Sequence, residues 1–187
     1  STLAKLGVEP AEALFVGDRR YEDMRGAKEL GMTTVQAFWF RADDDERGLD
    51  PDYEAFTAMD VLGSLSLTRH RFAEALSWAR RSLATAPGRV APVAIAADAQ
   101  IELGRYAQGF AAAQRRMELR PDLPSYSRGS YARELQGDRQ GAIRLMSLAV
   151  GAGALGSPDR AFAQVQLGLL RFGGGDLAAA EREMRTA

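Results

Sequence analysis

The sequence contains no cysteine among its 187 residues, and this absence excludes three kinds of site. A disulfide framework, a thiolate metal site and a cysteine nucleophile all need the missing thiol. The chain must therefore be stabilised by an apolar core, for which a hydrophobic content of 46% is sufficient. The composition is compatible with a reducing compartment, and we expect the protein to work in the cytoplasm.

Long apolar runs and lysine are also scarce. The sequence has neither an apolar run of about 18 residues nor a basic-apolar leader, so we expect no membrane span and no membrane partner. Every basic residue after Lys28 is arginine. Residues 1–56 contain 7 basic and 13 acidic residues, whereas the remainder contains 17 and 12. This asymmetry predicts two parts of different origin or task, residues 1–56 and 57–187.

Turn signals recur at a nearly constant interval in the second part. Successive turns are 34, 33 and 38 residues apart, and the longest interval includes a short glycine-rich insertion at 151–156. The four turns are His70-Arg71-Phe72, Gly104-Arg105-Tyr106, Gly137-Asp138-Arg139 and Gly175-Asp176-Leu177. A repeat of about 34 residues with one internal turn predicts a series of helical hairpins, here about four.

Apolar and small residues recur at helical spacing on both sides of these turns. We predict first helices at about 57–68, 90–103, 124–136 and 158–172, with small residues at the helix crossings, including Gly63, Ala97 and Gly168. In period and pattern, residues 59–187 resemble tetratricopeptide repeat (TPR) proteins. The resemblance implies a mostly α fold, a TPR-type α-solenoid, and protein binding rather than catalysis.

The last hairpin is expected to be incomplete. A solenoid buries its faces only by stacking neighbouring repeats, so the side of the final helix with Leu177, Ala180 and Met184 needs a cover. We expect that the natural chain continues, or that this open C-terminal repeat packs on a partner or on a second copy by self-association.

The first part has a different order of elements. An apolar run at 13–16 ends in Gly17-Asp18, a helical stretch follows to Leu30-Gly31, and a β-rich run covers 33–38. This order predicts a small Rossmann-like α/β unit with two parallel strands joined by a helix. Two such strands leave both edges unpaired. Three alternatives follow: the first repeat helix covers the unit, another chain supplies the rest, or the region is partly disordered in isolation.

The segment from Leu6 to Thr34 resembles the C-terminal third of haloacid-dehalogenase-like (HAD) phosphohydrolases, and Gly17-Asp18-x-x-x-x-Asp23 matches their fourth motif. The resemblance implies that Asp18 and Asp23 hold Mg²⁺ beside an aspartate nucleophile. The nucleophile motif, the second-motif Ser or Thr and the expected lysine are absent, so we predict no catalytic residue and no phosphatase activity. No cofactor other than Mg²⁺ is expected. In the alternative interpretation, Asp18 caps the following helix and Asp23 is a solvated first-turn acid.

The TPR resemblance implies that ligands lie on a concave face formed by the first helices. The repeat register places on or near that face Asp98, Ile101, Glu102, Ser127, Tyr131 and Glu134. Such a face would suit a basic or mixed peptide, although the same residues are equally typical of an ordinary helix surface. Nucleic acid is not an expected partner, because acidic residues separate the arginines.

Two further features favour structural roles. The acidic run at 43–46 predicts a hydrophilic linker that ends before Pro51, and His70 occupies a turn position rather than a catalytic one. The first hypothesis is therefore a scaffold that binds a peptide or protein on the concave face of a TPR solenoid. One alternative is part of a Mg²⁺-dependent HAD-like phosphohydrolase whose nucleophile is absent from this chain. The other is a fusion without integrated function.

Overall fold

A computed structural model describes residues 2–38 and 51–187. The predicted acidic linker at 43–46 lies outside these ranges. The chain forms two compact units, residues 1–108 and residues 109–187, here called the first unit and the second unit. The α/β part and the first repeat helices thus belong to one compact unit. That residues 1–56 and 57–187 differ in origin or task stays a prediction from the sequence.

The α/β part is built around a three-stranded parallel sheet in the order β1-β2-β3. The strands are β1 (Leu14–Gly17), β2 (Thr33–Ala37) and β3 (Tyr53–Ala55). Helices α1 (Thr2–Leu6) and α2 (Arg25–Glu29) accompany them, with a short turn of π-helix at Arg20–Met24 before α2. The prediction of two strands is wrong, because β3 pairs in parallel with β2 and covers one of its edges.

Strand β2 is the centre of the sheet, and its sequence fits that place. It pairs with β1 on one edge and with β3 on the other, and four of its five residues are buried. Parallel strands are normally covered on both faces, which explains why Thr34 and Gln36 are as deeply buried as Val35. All three strands also contact the first repeat helix, so the first of the three alternatives for covering the unit is the one observed.

Eight helices follow in four pairs, as the repeat spacing predicts. The TPR-type helical architecture is therefore confirmed, and the predicted first helices agree with the observed ones to within one residue at each end. The pairs are α3 (Ala58–Thr68) with α4 (Phe72–Thr85), α5 (Val90–Glu102) with α6 (Tyr106–Leu119), α7 (Leu123–Leu135) with α8 (Arg139–Ala152), and α9 (Pro158–Gly173) with α10 (Leu177–Thr186).

The same hydrogen-bonded turn ends the first helix of each pair. The residue at its centre has a positive φ of 55° at His70, 71° at Gly104, 79° at Gly137 and 84° at Gly175. In each turn the following amide donates to a carbonyl five residues earlier, for example Arg71 to Ser66 at 2.8 Å. This is the Schellman arrangement, in which glycine is favoured because it has no Cβ. His70 is the one non-glycine residue with a positive φ in the described ranges.

Small residues mark the places where helices approach most closely. A Cβ added to Gly168 would lie 2.9 Å from Met184 Cγ, and one added to Gly63 would lie 3.2 Å from the side chain of Ile95. The third pair uses Ser130, which is 33 residues after Ala97, and its hydroxyl donates to the Ala142 carbonyl of α8 at 2.8 Å. The repeat offset identifies Ser130 as the equivalent of Ala97, whereas a search for glycine and alanine alone would miss it.

Each unit has its own apolar core. In the first unit, α3, α4 and α5 contribute Leu67, Ala75, Leu76, Ala79, Ile95, Ala96 and Ala99, and Tyr53 of β3 packs against them. In the second unit, the core joins α7, α8 and α9 through Leu123, Ala142, Met146, Ala149, Val150, Ala163, Leu167 and Leu170. Of the helices in the described ranges, none is long and apolar enough to cross a membrane.

A buried carboxylate fixes the junction between the sheet and the first hairpin. Asp60 is fully buried, and its Oδ2 accepts hydrogen bonds from the amides of Phe56 at 2.9 Å and Thr57 at 3.0 Å. Its Oδ1 accepts a bond from the Ser82 hydroxyl of α4 at 2.6 Å. Thr57 in turn accepts the Asp60 amide, which completes a capping box at the start of α3.

Candidate functional site

The acidic pair of the HAD-like motif lies at the carboxyl edge of the sheet, directly after β1. Asp23 Oδ2 accepts hydrogen bonds from the backbone amides of Asp18 and Arg19, each at 3.0 Å. Gly17 permits this contact, because a Cβ at its position would lie 2.6 Å from both Cβ and Oδ2 of Asp23. The Asp23 carboxylate therefore closes the turn between β1 and the helical segment that follows.

This geometry differs from the simple capping interpretation. The N-cap of the helical segment is Arg19, which makes no side-chain capping bond, so Asp18 is not the cap. Asp23 is half-buried and bonded to the loop rather than solvated. The acid that stabilises this turn is thus Asp23, and it acts from inside the helical segment back towards the strand end.

The donor set at this edge does not make a complete metal site. Mg²⁺ requires near-octahedral oxygen coordination, and proteins usually supply one or two carboxylates together with substrate phosphates and water. One oxygen of Asp23 already accepts two amides, and no group of three His, Cys, Asp or Glu side chains able to hold a metal occurs in 2–38 or 51–187. Asp18 and Asp23 would therefore be an incomplete ligand set that depends on oxygens from another molecule.

A second polar network explains the third strand. The Thr34 amide and hydroxyl donate to Asp52 Oδ2 at 2.7 and 2.8 Å, and Lys28 Nζ lies 3.4 Å from Asp52 Oδ1. Gln36 Nε2 donates to the Asp18 carbonyl at 3.4 Å, which links β2 to the loop after β1. These contacts use the buried polar side chains of β2 to hold neighbouring segments rather than to present a reactive group.

Three of the predicted partner-binding residues lie on α5, in the first unit. Asp98 is half-buried, Ile101 is 7% exposed and Glu102 is exposed. Strand β3 contacts α5, and residues 91–97, 99 and 101 of this helix are buried. Ile101 belongs to the apolar interior and offers almost no surface to a partner, and Glu102 is the one exposed member of this group.

We call the positions that correspond to Ser127, Tyr131 and Glu134 of α7 the first-helix face. On α3 this face is buried. The corresponding residues there are Asp60, Ser64 and Leu67, which are 0%, 0% and 6% exposed. Strands β1, β2 and β3 contact α3, and the same helix also packs on α4 and α5, where Leu67 joins the apolar core and Asp60 bonds to Ser82. The sheet, α4 and α5 together leave this part of α3 closed to a partner.

The first-helix face is open in the second unit. On α7, Tyr131 is 47% exposed, Glu134 is exposed and Ser127 is half-buried. The three residues lie at i, i+4 and i+7 and therefore share one side of the helix. The structure places them as a surface within one unit, separately from the α5 residues of the other unit.

The corresponding residues of α9 are also exposed, and the sequence reasoning did not single them out. Phe162 is 64% exposed, Val165 37%, Leu169 49% and Phe172 61%. The 38-residue repeat offset maps positions 124, 127, 131 and 134 onto these four residues, so the repeat register contains the signal that identifies them. They form an apolar surface on the side of α9 opposite its core residue Leu167.

A groove of about 510 Å³ is a further surface of the second unit that the sequence reasoning missed. Its apolar part includes Met117, Tyr126, Leu145 and Leu148, and its polar part includes Gln114, Glu118, Arg133, Asp138 and Arg144. Glu118 is paired with Arg115 at 3.4 Å, and Asp138 caps α8 by accepting the Gly141 amide at 2.8 Å. The acids of this groove therefore already have structural partners.

Comparison with known proteins supports the two resemblances separately. Residues 1–37 match the family model of HAD-hydrolase-like proteins. The glyceraldehyde 3-phosphate phosphatase of Methanopyrus kandleri is 44% identical over 61 residues, which are 31% of this chain and 26% of the relative. That of Pyrococcus furiosus is 51% identical over 39 residues, which are 21% of this chain and 15% of the relative. The chain thus spans about a quarter or less of the length of these curated relatives.

Solved structures match the helices. MamA aligns with a TM-score of 0.55 and 18% identity, over 65% of this chain and 70% of MamA. A thermophilic TPR protein of Thermus thermophilus aligns with a TM-score of 0.59 and 17% identity, over 70% of this chain and 73% of that protein. The helical array has the tetratricopeptide-repeat fold. At this identity the likeness establishes the fold and leaves the ligand of the array to be inferred from its surface.

Proposed function

We propose that this protein is an interaction scaffold that binds a peptide or protein partner through the first-helix face of its second unit. The tetratricopeptide-repeat fold supports an interaction role. The observation that carries the choice of surface is the difference in exposure between Tyr131 and its counterpart Ser64, which are 47% and 0% exposed. The face on α3 is buried within the first unit, whereas the face on α7 is exposed.

The proposed partner is a basic or mixed peptide segment in extended or helical form. Tyr131 supplies an aromatic surface with a polar end, which is common at binding surfaces, and Glu134 supplies a negative charge one turn away. Neither nucleic acid nor a lipid bilayer fits this surface, because its one formal charge is negative. A cytoplasmic location remains a prediction from composition.

Selection from a random peptide library on the 187-residue chain tests this proposal. Peptides that bind through the proposed surface should carry basic residues and should lose at least about tenfold in affinity on Tyr131→Ala or Glu134→Arg. Glu74→Arg on α4 is the matched control, because Glu74 is an exposed helical acid in the first unit. Selected peptides that tolerate both α7 variants, or a failure to select any peptide, would argue against this surface.

A phosphohydrolase role is the second candidate, and the similarity of residues 1–37 to HAD-like proteins is the observation that favours it. The incomplete ligand set at Asp18 and Asp23 and the missing nucleophile motif argue that this chain has no such activity alone. Phosphate release from a generic phosphomonoester with Mg²⁺ should stay at the level of buffer. Turnover that disappears in Asp18→Asn would replace the scaffold proposal by an enzymatic one.

The third alternative was a fusion without integrated function. The contacts of all three strands with α3 and the hydrogen bond from the Phe56 amide to Asp60 favour integration, since they join the two parts in one compact unit. We infer that the α/β part serves the array as a structural cover of its first hairpin. The unfolding experiment on Asp60 described below tests this inference.

A further inference from the structure

Helix α9 carries an exposed apolar surface on the side that does not pack into the core of the second unit. The exposed residues are Phe162, Val165, Leu169 and Phe172, at spacings of 3, 4 and 3 residues. Taking about 200 Å² for a phenylalanine side chain and about 150 Å² for valine or leucine, the exposed fractions sum to roughly 400 Å² of apolar surface. The largest apolar patch of a typical monomer has about this size and is often functional. We call these four residues the α9 stripe.

No charged side chain interrupts the α9 stripe. The positions that flank it on the helix are Ala161, Gln166 and Gly173. Arg171 points to the other side, where its guanidinium lies 3.4 Å from Glu183 and 3.9 Å from Asp176. A foreign partner that is recognised by charge would find no counter-charge here, so the occupant must be an apolar surface of similar size.

The α9 stripe has the symmetry that a second copy requires. In a twofold interface, residue i contacts residue j of the other copy and residue j contacts residue i. The spacings 3, 4 and 3 read the same in both directions, so an antiparallel pair of α9 helices sets Phe162 against Phe172 and Val165 against Leu169. This alternation of three and four residues is also the spacing of a coiled-coil seam. We propose that two copies of this chain associate through an antiparallel α9–α9 contact.

The available area fits a moderate dimer. Two α9 stripes would bury about 800 Å² of apolar surface, which is the apolar share of a specific interface of roughly 1,200–1,400 Å² in total. This lies at the lower end for stable complexes, so we expect a dissociation constant of about 1–100 μM. The α9 stripe is the part of the first-helix face that lies on α9, whereas the peptide proposal rests on Tyr131 and Glu134 of α7.

Sedimentation velocity across a concentration series provides the first test. The unaltered chain should be dimeric at about 100 μM and should dissociate on dilution. Leu169→Glu should weaken the dimer at least about tenfold, because it buries a charge against Val165 of the second copy. Leu148→Glu on α8 is the matched control, since the two leucines are 51% and 49% exposed and only Leu169 is in the α9 stripe. A chain that stays monomeric at all concentrations would overturn the proposal, as would equal effects of the two variants.

Cross-linking tests the antiparallel register without relying on a disruptive variant. The chain has no cysteine, so single cysteines report one contact each. Under mild oxidation, a mixture of Val165→Cys and Leu169→Cys should form the mixed dimer faster than either variant forms its own, because only the mixed pair brings the two Cα atoms within disulfide range. Faster cross-linking of identical variants would contradict the antiparallel pairing. An unaltered chain that forms no dimer but still binds peptides through Tyr131 would refute this inference alone and leave the scaffold proposal standing.

Discussion

Asp60 joins the end of β3 to the first helical hairpin, and its replacement should destabilise the whole first unit. The carboxylate is fully buried and accepts the amides of Phe56 and Thr57 and the hydroxyl of Ser82. Asp60→Ala removes the acceptor of three hydrogen bonds, of which the one from Ser82 is buried and the two from the backbone amides are part-buried. Asp60→Asn keeps the shape of the side chain and is the matched control.

The expected magnitudes follow from these contacts. Removing one member of a buried hydrogen-bonded network costs about 3–5 kcal/mol, and this range includes the lost capping box. In Asp60→Asn, the amide oxygen can accept both backbone amides, and the amide nitrogen can donate to Ser82, whose hydroxyl is free to rotate. The free energy of unfolding then falls only by the extra strength that the negative charge gives these hydrogen bonds, about 1–2 kcal/mol.

Urea denaturation followed by tryptophan fluorescence measures the effect in the correct unit. Trp78 lies in α4 of the first unit and residues 109–187 contain no tryptophan, so the emission does not report the second unit. Hydrogen exchange of the β2 amides should accelerate together with that of α3 in Asp60→Ala. The reasoning fails if Asp60→Ala costs less than about 1 kcal/mol, if Ala and Asn are equivalent, or if β2 keeps its protection while α3 loses it.

Three other predictions concern single positions. His70→Gly should raise the free energy of unfolding, measured by urea denaturation, by about 0.5–1 kcal/mol. Glycine adopts a φ of 55° without the steric cost that a side chain with a Cβ has in the left-handed region. A lower free energy of unfolding would contradict this prediction. Gly168→Val should destabilise α10 by about 1–3 kcal/mol, because the new side chain would clash with Met184. Unchanged hydrogen exchange in α10 would contradict the close approach of α9 and α10 at this position. Asp23→Ala should lower the melting temperature, because it leaves two backbone amides without their acceptor. Millimolar Mg²⁺ should leave the melting temperature of the unaltered chain unchanged. A rise in melting temperature with Mg²⁺ would indicate a metal site.

The repeat architecture could be predicted because the turns between its helices are determined by local backbone conformation. A helix that ends in a left-handed turn favours glycine there, so Gly104, Gly137 and Gly175 mark the same structural position wherever they occur. His70 could be assigned to this position from the 34-residue offset despite its different side chain. The HAD-like segment was equally accessible, because the Gly17 and Asp23 pattern reflects a contact within six residues of the chain.

Long-range contacts limited the rest of the prediction. Strand β3 has only three residues, and its pairing depends on Asp52 bonding to Thr34, which lies 18 residues earlier. The helical period shows that Ile101 faces one side of α5, but it does not reveal what packs on that side. Its burial emerges only with the fold of the first unit. The α9 stripe, by contrast, could be found by extending the repeat register across the 38-residue interval.

Hydrogen exchange of the intact chain, with and without a selected peptide, most directly tests the claim that the array binds through its second unit. We expect protection in α7, centred on residues 127–134, with the exchange of residues 57–68 unchanged because the first-helix face of α3 is already buried within the first unit. Protection confined to α3, α5 or the loop at 17–23 would contradict this account.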